Sequence, residues 1–263
     1  MIPFSALSIM VARVSEILSE NCPSVYLTGS VTLDDFHPGW SDIDLLVLTE
    51  REISPAQAEA LVGLRQDLVK EYGDGIFRLF EGGMLTTDAF VSGGKDRVVY
   101  WGTSGQRVTN QYRFDAFCTV NLLDDGVLLC GDDVRGKIPR PDAEEIRADM
   151  SGVLDTVRRY ASLSGNSLYT YSWLLDISCC LFTLKTENHF QDARGRMGAP
   201  RGALSRAGRL VAGGGTTHSP ASFRKDALTG ERLEDLVRDI LSYADTLEKT
   251  LSLKKEEAKT SSF

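Results

Sequence analysis

"YLTGSVTLDDFHPGWSDIDLLVLTE", residues 26–50, decides how this chain is read. A short apolar stretch runs into Gly29-Ser30, and a second apolar stretch further on is headed by Asp42 and Asp44. Strand side chains alternate between faces, so the two aspartates point the same way, about 6.6 Å apart along the strand. Ile43, Leu45 and Val47 then belong to the other face. Two carboxylates side by side repel each other, and desolvation makes both charges less favourable. A divalent cation between them removes both problems. Magnesium suits such a pair, because it takes oxygen ligands and commonly uses one or two carboxylates with water and substrate phosphates. For an Asp-x-Asp alone, a pair of solvent-facing acids is the plainer reading. Gly29-Ser30 shifts that balance: glycine at a strand end lets a phosphate approach the backbone, and the next turn offers N–H groups and the Ser30 hydroxyl.

Outward from this stretch, the pattern alternates short strands with helices as far as about Arg140, which is α/β or α+β behaviour with a mixed sheet. "SVYLT" and "DIDLLVLT" read as strands, and "SPAQAEALVGLRQDLVKEY" as a helix with Ser54 at its N-cap and Pro55 in its first turn. Leu7, Met10, Val14 and Ile17 space an amphipathic first helix. "GIFRLFE" and "RVVYW" read as strands, "YRFDAFCTVNLL" as a helix and "VLLCG" as a strand. At "GKIPRPDAEEI" two prolines close the first unit, and Asp142 with Glu145 has capping-box spacing for a new helix. The rest is helical. Trp173, Ile177, Cys180, Leu181 and Leu184 form one stripe, and Leu233, Leu236, Ile240, Leu241, Ala244 and Leu247 another. "VAGGGTTHSP" is a loop between them, and the polar "KKEEAKTSSF" is expected to fray. The plan is an α/β unit over residues 1–139 and an all-α helical bundle over 140–263.

A chain of 263 residues with a net charge of −8 is long enough for a substantial core and is poorly suited to nucleic acid, whose phosphates want a basic face. The charge suits a cationic small molecule. Cys22, Cys118, Cys130, Cys179 and Cys180 show neither a CxxC pair nor metal-ligand spacing, and their odd number reads as reduced thiols of a cytoplasmic protein. His37, His189 and His218 are scattered, which argues against zinc. No apolar stretch is long enough to span a bilayer, and the start lacks the basic leader of a signal peptide.

Leu27-Thr28-Gly29-Ser30 followed by Asp42-Ile43-Asp44 resembles the signature of the polymerase-β-type nucleotidyltransferase superfamily. Ser41 also matches a serine often found in its antibiotic-modifying branch. In "IFRLFEGGMLTTDAF", Glu81 stands at the end of an apolar strand with glycines behind it, in a context similar to the glutamate of the aminoglycoside 3″/9 adenylyltransferases. The resemblance implies that Asp42 and Asp44 hold Mg²⁺ and that Glu81 is the base for the acceptor hydroxyl. Asp88, in a loop seven residues later, competes for that role. "RVVYWGTSGQR" and "LLDDGVLLCGDDVRGKIPRP" look like the tail of that family's catalytic unit and its crossing into a helical domain.

The chain departs from the family at a phosphate-binding lysine, which would fall near Asp192, the wrong sign. Lys185 is the first candidate to replace it, with Arg194, Arg196 and Arg201 as others, since phosphate requires a cation more than one residue type. Trp101 and Trp173 are candidates to stack on a sugar ring, although each reads more simply as core. Asp176 is placed to meet a cationic amine, and Glu187 and Asp192 would extend an acidic wall. The expected activity is transfer of AMP from ATP, with Mg²⁺, to a hydroxyl of a small molecule such as an aminoglycoside or aminocyclitol. In two-domain relatives the site lies between the domains, so a monomer suffices. Rival expectations are a relative that binds nucleotide, ligand or partner without transfer, and a protein-AMPylating or antitoxin-type nucleotidyltransferase. Those minimal units are usually shorter than this chain and lack a long helical domain.

Overall fold

A computed structural model of the protein describes residues 4–33, 36, 41–73, 75–102, 105–160, 173, 176–177, 180–181, 184 and 230–260. The chain forms two compact units, Met1–Arg140 and Pro141–Phe263.

The first unit is built on a six-stranded mixed sheet. Its strands are β1 (Ser24–Thr28), β2 (Ile43–Thr49), β3 (Phe80–Thr86), β4 (Val98–Gly102), β5 (Gly105–Thr109) and β6 (Val127–Cys130), in the order β5-β4-β3-β2-β1-β6. Only β2 and β3 pair in parallel. A parallel pair needs a long crossover, and α2 (Pro55–Tyr72) supplies it. Its start is set by a full capping box: Gln57 N–H donates to Ser54 Oγ, and the Gln57 side chain accepts from Ser54 N–H.

One sheet face, with Ile43, Leu45, Val47, Phe80 and Met84, packs against α1 (Phe4–Ile17) and α2 through Met10, Val14, Leu61 and Leu68. The opposite face carries Tyr26, Leu46, Leu48 and Leu85 and is covered by α4 (Ala116–Asp125) through Leu122. The buried seam of α1 is Ala6, Met10 and Val14, continued by Leu18 just after the helix, while Leu7 and Ile17 flank it. The hydropathy pattern had placed it slightly to one side, at Leu7, Met10, Val14 and Ile17.

Three local readings change. Residues 75–79 of the expected strand "GIFRLFE" form a 3-10 turn, and β3 begins only at Phe80. Glycines at 82 and 83 hide the strand from a propensity argument, yet the sheet leaves little room for a side chain at either. A Cβ on Gly82 would lie 1.8 Å from Leu45 O across the β2–β3 pair, and one on Gly83 would meet the Phe114 ring at 2.3 Å. β5, hairpinned to β4 with Gly102 opposite Gly105, has too little apolar character to announce itself. The helix expected from Tyr112 starts at Ala116, because Asp115 caps it by accepting from Cys118 N–H at 2.7 Å.

In the second unit α5 (Ala143–Tyr160) packs against α6 (Gly230–Thr260). Asp142 Oδ1 accepts from Glu145 N–H while Glu145 Oε2 accepts from Asp142 N–H, the reciprocal cap that the spacing predicted. Ile146, Met150, Leu154 and Val157 are buried on α5, and Ile240, Ala244, Leu247 and Leu251 on α6. Arg158 bridges Asp245 and Glu248 between the two helices. Lys254 to Thr260 continue α6, where fraying was expected. Ile177, Cys180, Leu181 and Leu184 are helical and buried, as their stripe implied. The "VAGGGTTHSP" segment lies outside the described residues. Among the described residues no helix is long and apolar enough to cross a membrane.

Candidate active site

Three neighbouring strands bring the motif together. Thr28, the last residue of β1, pairs with Asp44 on β2, and Asp44 pairs with Glu81 on β3. Paired residues on adjacent strands stand about 4.8 Å apart and share a face. Asp44 and Glu81 are therefore side by side, and both are half-buried. Asp42 lies immediately before β2, half-buried, and Ser41 before it is buried at 7% exposure. Glu81 stands at the start of β3, not at the end of a strand as expected. In a parallel pair the strands start at the same edge, so this placement is what puts it beside Asp44.

The chain enters the site at Gly29, where β1 gives way to a 3-10 turn, Gly29–Val31. Its φ of +71° is left-handed, and a Cβ there would lie 2.0 Å from Asp44 Oδ2. Glycine is required on both counts. Gly29 N–H donates to Asn121 Oδ1 at 2.8 Å, and Gly29 O accepts from Thr32 N–H and Thr32 Oγ1. The turn is thus fastened to α4 and closed on itself, with Ser30 half-buried at its centre.

The electrostatics are those of crowded negative charge. Burial first, and then the charges of Asp42 and Glu81, together push the Asp44 carboxyl up to about 7. Among the described residues no group of three or more His, Cys, Asp or Glu side chains is arranged to hold a metal ion by itself. Magnesium beside a nucleotide is usually held by one or two carboxylates completed by phosphates and water. The donor set Asp42 and Asp44, all oxygen and mutually repelling, fits such an ion.

Trp101 is fully buried, its indole N–H donates to Leu61 O at 2.9 Å, and it belongs to the core beneath α2. It has no face to offer a sugar, which corrects the stacking expectation. Trp173 is half-buried and Asp176 exposed, both helical in the second unit. Asp88 is exposed in the first turn of α3 (Thr87–Ser92), beyond the far end of β3 from Glu81. Lys185, Glu187, Asp192, Arg194, Arg196 and Arg201 lie outside the described residues.

Two contributors were missed. Asn121 had no legible signal, being one polar residue in a helix whose partner is set by the fold. Arg65 did have one: it sits on the buried face of α2 with Leu61, Leu64 and Leu68, where a charge is out of place.

Residues 11–75 match the family model for a nucleotidyltransferase domain, a span that includes Gly29, Ser30, Asp42 and Asp44 and stops short of Glu81. No curated protein matches the chain. Among solved structures, the chain is similar to spectinomycin adenyltransferase from Enterococcus faecialis, crystallised with ATP and spectinomycin. The two share 14% sequence identity and a TM-score of 0.55, over 95% of this chain and 100% of that one. At that identity the likeness speaks for the fold, and the family model speaks for the motif. Residues 11–75 thus carry the match to a nucleotidyltransferase domain, which supports a transferase enzyme, on a fold shared with a spectinomycin adenyltransferase.

Proposed function

We propose that the protein transfers AMP from ATP to a hydroxyl of a small molecule, with Mg²⁺, and that the acceptor is an aminoglycoside or aminocyclitol. The observation that carries this reading is the register Thr28–Asp44–Glu81 with Gly29 pressed against Asp44. It sets two carboxylates side by side next to a backbone turn, with Asp42 two residues before Asp44, the chemistry that a triphosphate and its metal require. The structural neighbour's ATP and spectinomycin support the choice of nucleotide and acceptor class, and the chain's charge of −8 suits a cationic acceptor.

Asp42 and Asp44 would hold the metal. Bound there, Mg²⁺ would neutralise the triphosphate and stabilise charge on the departing pyrophosphate. Ser30, with Ser41 beside the aspartates, would orient the phosphates. Glu81 accepts the acceptor-hydroxyl proton as that oxygen bonds to the α-phosphorus, and the bond from the α-phosphorus to the bridging oxygen breaks to release pyrophosphate. Trp173 and Asp176 are the proposed acceptor contacts and Lys185 the proposed phosphate cation. A single chain holds every group named.

Calorimetric titration of a non-hydrolysable ATP analogue, with and without magnesium, tests the reading. Magnesium-dependent binding that disappears in Asp42→Asn is expected, followed by pyrophosphate release when spectinomycin or an aminoglycoside is added. Binding with no release under any such acceptor would instead favour a relative that binds without transfer.

A further inference from the structure

Arg65 is a buried charge on the wrong side of the sheet. It projects from α2, which covers the face of Ile43, Leu45 and Val47, while Asp44 and Glu81 belong to the opposite face. It is 6% exposed. Its guanidinium donates to three main-chain carbonyls: Phe80 O at 2.5 Å, Arg78 O at 3.3 Å and Gly102 O at 3.4 Å. It also lies over the Trp101 ring, 5.7 Å from the centroid. Its Nε is buried with no hydrogen-bond partner among the described residues.

A guanidinium in such a place is expensive, because neutral carbonyls return only part of the hydration it gives up. Burial lowers the Arg65 pKa accordingly, and the charges that work against that lowering are first Glu81 and then Asp42. The position of the hydrogen bonds is equally telling. Phe80 O belongs to the peptide that links Phe80 to Glu81, Arg78 O lies in the turn that enters β3, and Gly102 ends β4 beside it. The three together grip the backbone at the point where Glu81 leaves it.

We propose that Arg65 is a positioning residue of the active site: it clamps the Phe80–Glu81 peptide from behind the sheet and is the built-in countercharge that lets Glu81 sit beside Asp44. The role in turnover rests on the function proposed above, whereas the countercharge does not. Arg65 touches neither nucleotide nor acceptor in this arrangement and acts only through Glu81.

A double-mutant cycle on stability tests it without turnover. Arg65→Met leaves the same carbonyls unsatisfied whatever stands at 81, so a purely structural arginine would lose equal stability in native and Glu81→Gln backgrounds. The expected result is a clearly smaller loss of urea midpoint for Arg65→Met in Glu81→Gln than in the native background, with Arg65→Lys, which keeps the charge, recovering most of the difference. Equal losses in both backgrounds overturn the proposal. If Arg65→Met does not fold, Arg65→Gln takes its place in the same cycle. In turnover, folded Arg65→Lys should lower kcat by on the order of 100-fold, as a misplaced reacting group does, with the KM for ATP little changed. An unchanged kcat overturns the positioning role. Failure of the native protein to release pyrophosphate would sink the proposed function while the stability cycle still decides the countercharge.

Discussion

Gly29 and Asp44 occupy one another's space: a side-chain carbon on Gly29 would lie 2.0 Å from Asp44 Oδ2 and 2.8 Å from its Cγ. The glycine and the aspartate of the motif are thus one device, and the gap between them in sequence is only the loop that returns the chain. Gly29→Ala is expected to lose at least as much activity as Asp44→Asn, because the methyl must evict the carboxylate. The left-handed φ adds about 1–2 kcal/mol of destabilisation. Pyrophosphate release and a urea melt on the same preparation check both parts. An active Gly29→Ala would mean that Asp44 is not held where the structure has it.

Asp44→Asn should separate stability from function. It removes a half-buried charge that Asp42 and Glu81 oppose, so the free protein should melt at the same temperature or higher at pH 8. Magnesium-dependent nucleotide binding should disappear from the same sample. A marked loss of thermal stability would show that the carboxylate holds the fold together.

The β2–β3 pair tolerates no side chain at Gly82, whose Cβ would sit 1.8 Å from Leu45 O at a φ of +133°. Gly82→Ala should cost about 3 kcal/mol or more, in the range reserved for strained backbone and core damage. Gly83→Ala meets only the tip of the Phe114 ring, and should be the milder of the two. Comparing their urea midpoints checks this order.

Tyr26 is fully buried, accepts a hydrogen bond from Val134 N–H at 2.7 Å and donates to Asp133 Oδ1 at 3.1 Å. Burial pushes its pKa up to about 12. The folded value exceeds the ordinary one of about 10, so the hydroxyl's contribution to stability is complete below pH 10 and lost as pH rises toward 12. Tyr26→Phe should therefore melt earlier at neutral pH, by the roughly 1–3 kcal/mol of an unsatisfied buried N–H. It should also show a shallower alkaline decline than the native protein between pH 10 and 12.

Trp101→Phe checks the correction of its role. It loses the hydrogen bond to Leu61 O and leaves a cavity under α2, so the fold should weaken by about 2 kcal/mol. With stability restored by lower temperature, the KM for the acceptor should be that of the native enzyme. A raised acceptor KM would return Trp101 to the binding site.

Much of the site was legible in advance because its demands are local. A strand that ends in Gly-Ser and another that starts with Asp-x-Asp leave marks in residue type and spacing, and Ser54-Pro55 and Asp142-Glu145 mark helix starts the same way. Asp115 is such a mark too, but the aromatic residues before it blurred the start of α4. The sequence points to a strand that ends at Glu81, because Gly82 and Gly83 look like a turn until Leu45 O and the Phe114 ring are seen against them.

The order of residues along the chain, then, was enough to determine the strand–turn–strand motif and the helix caps at Ser54 and Asp142. Tertiary structure alone decided that Glu81 stands near the start of its strand beside Asp44, that Asn121 holds the Gly29 turn, that Trp101 is core and that Arg65 grips the peptide leading into Glu81. Caps, turns and alternation are settled within a few residues by hydrogen bonding and sterics. Strand register, the burial of a lone charge and the partner of a side-chain amide depend on which distant segments pack together, and no short window of sequence records that.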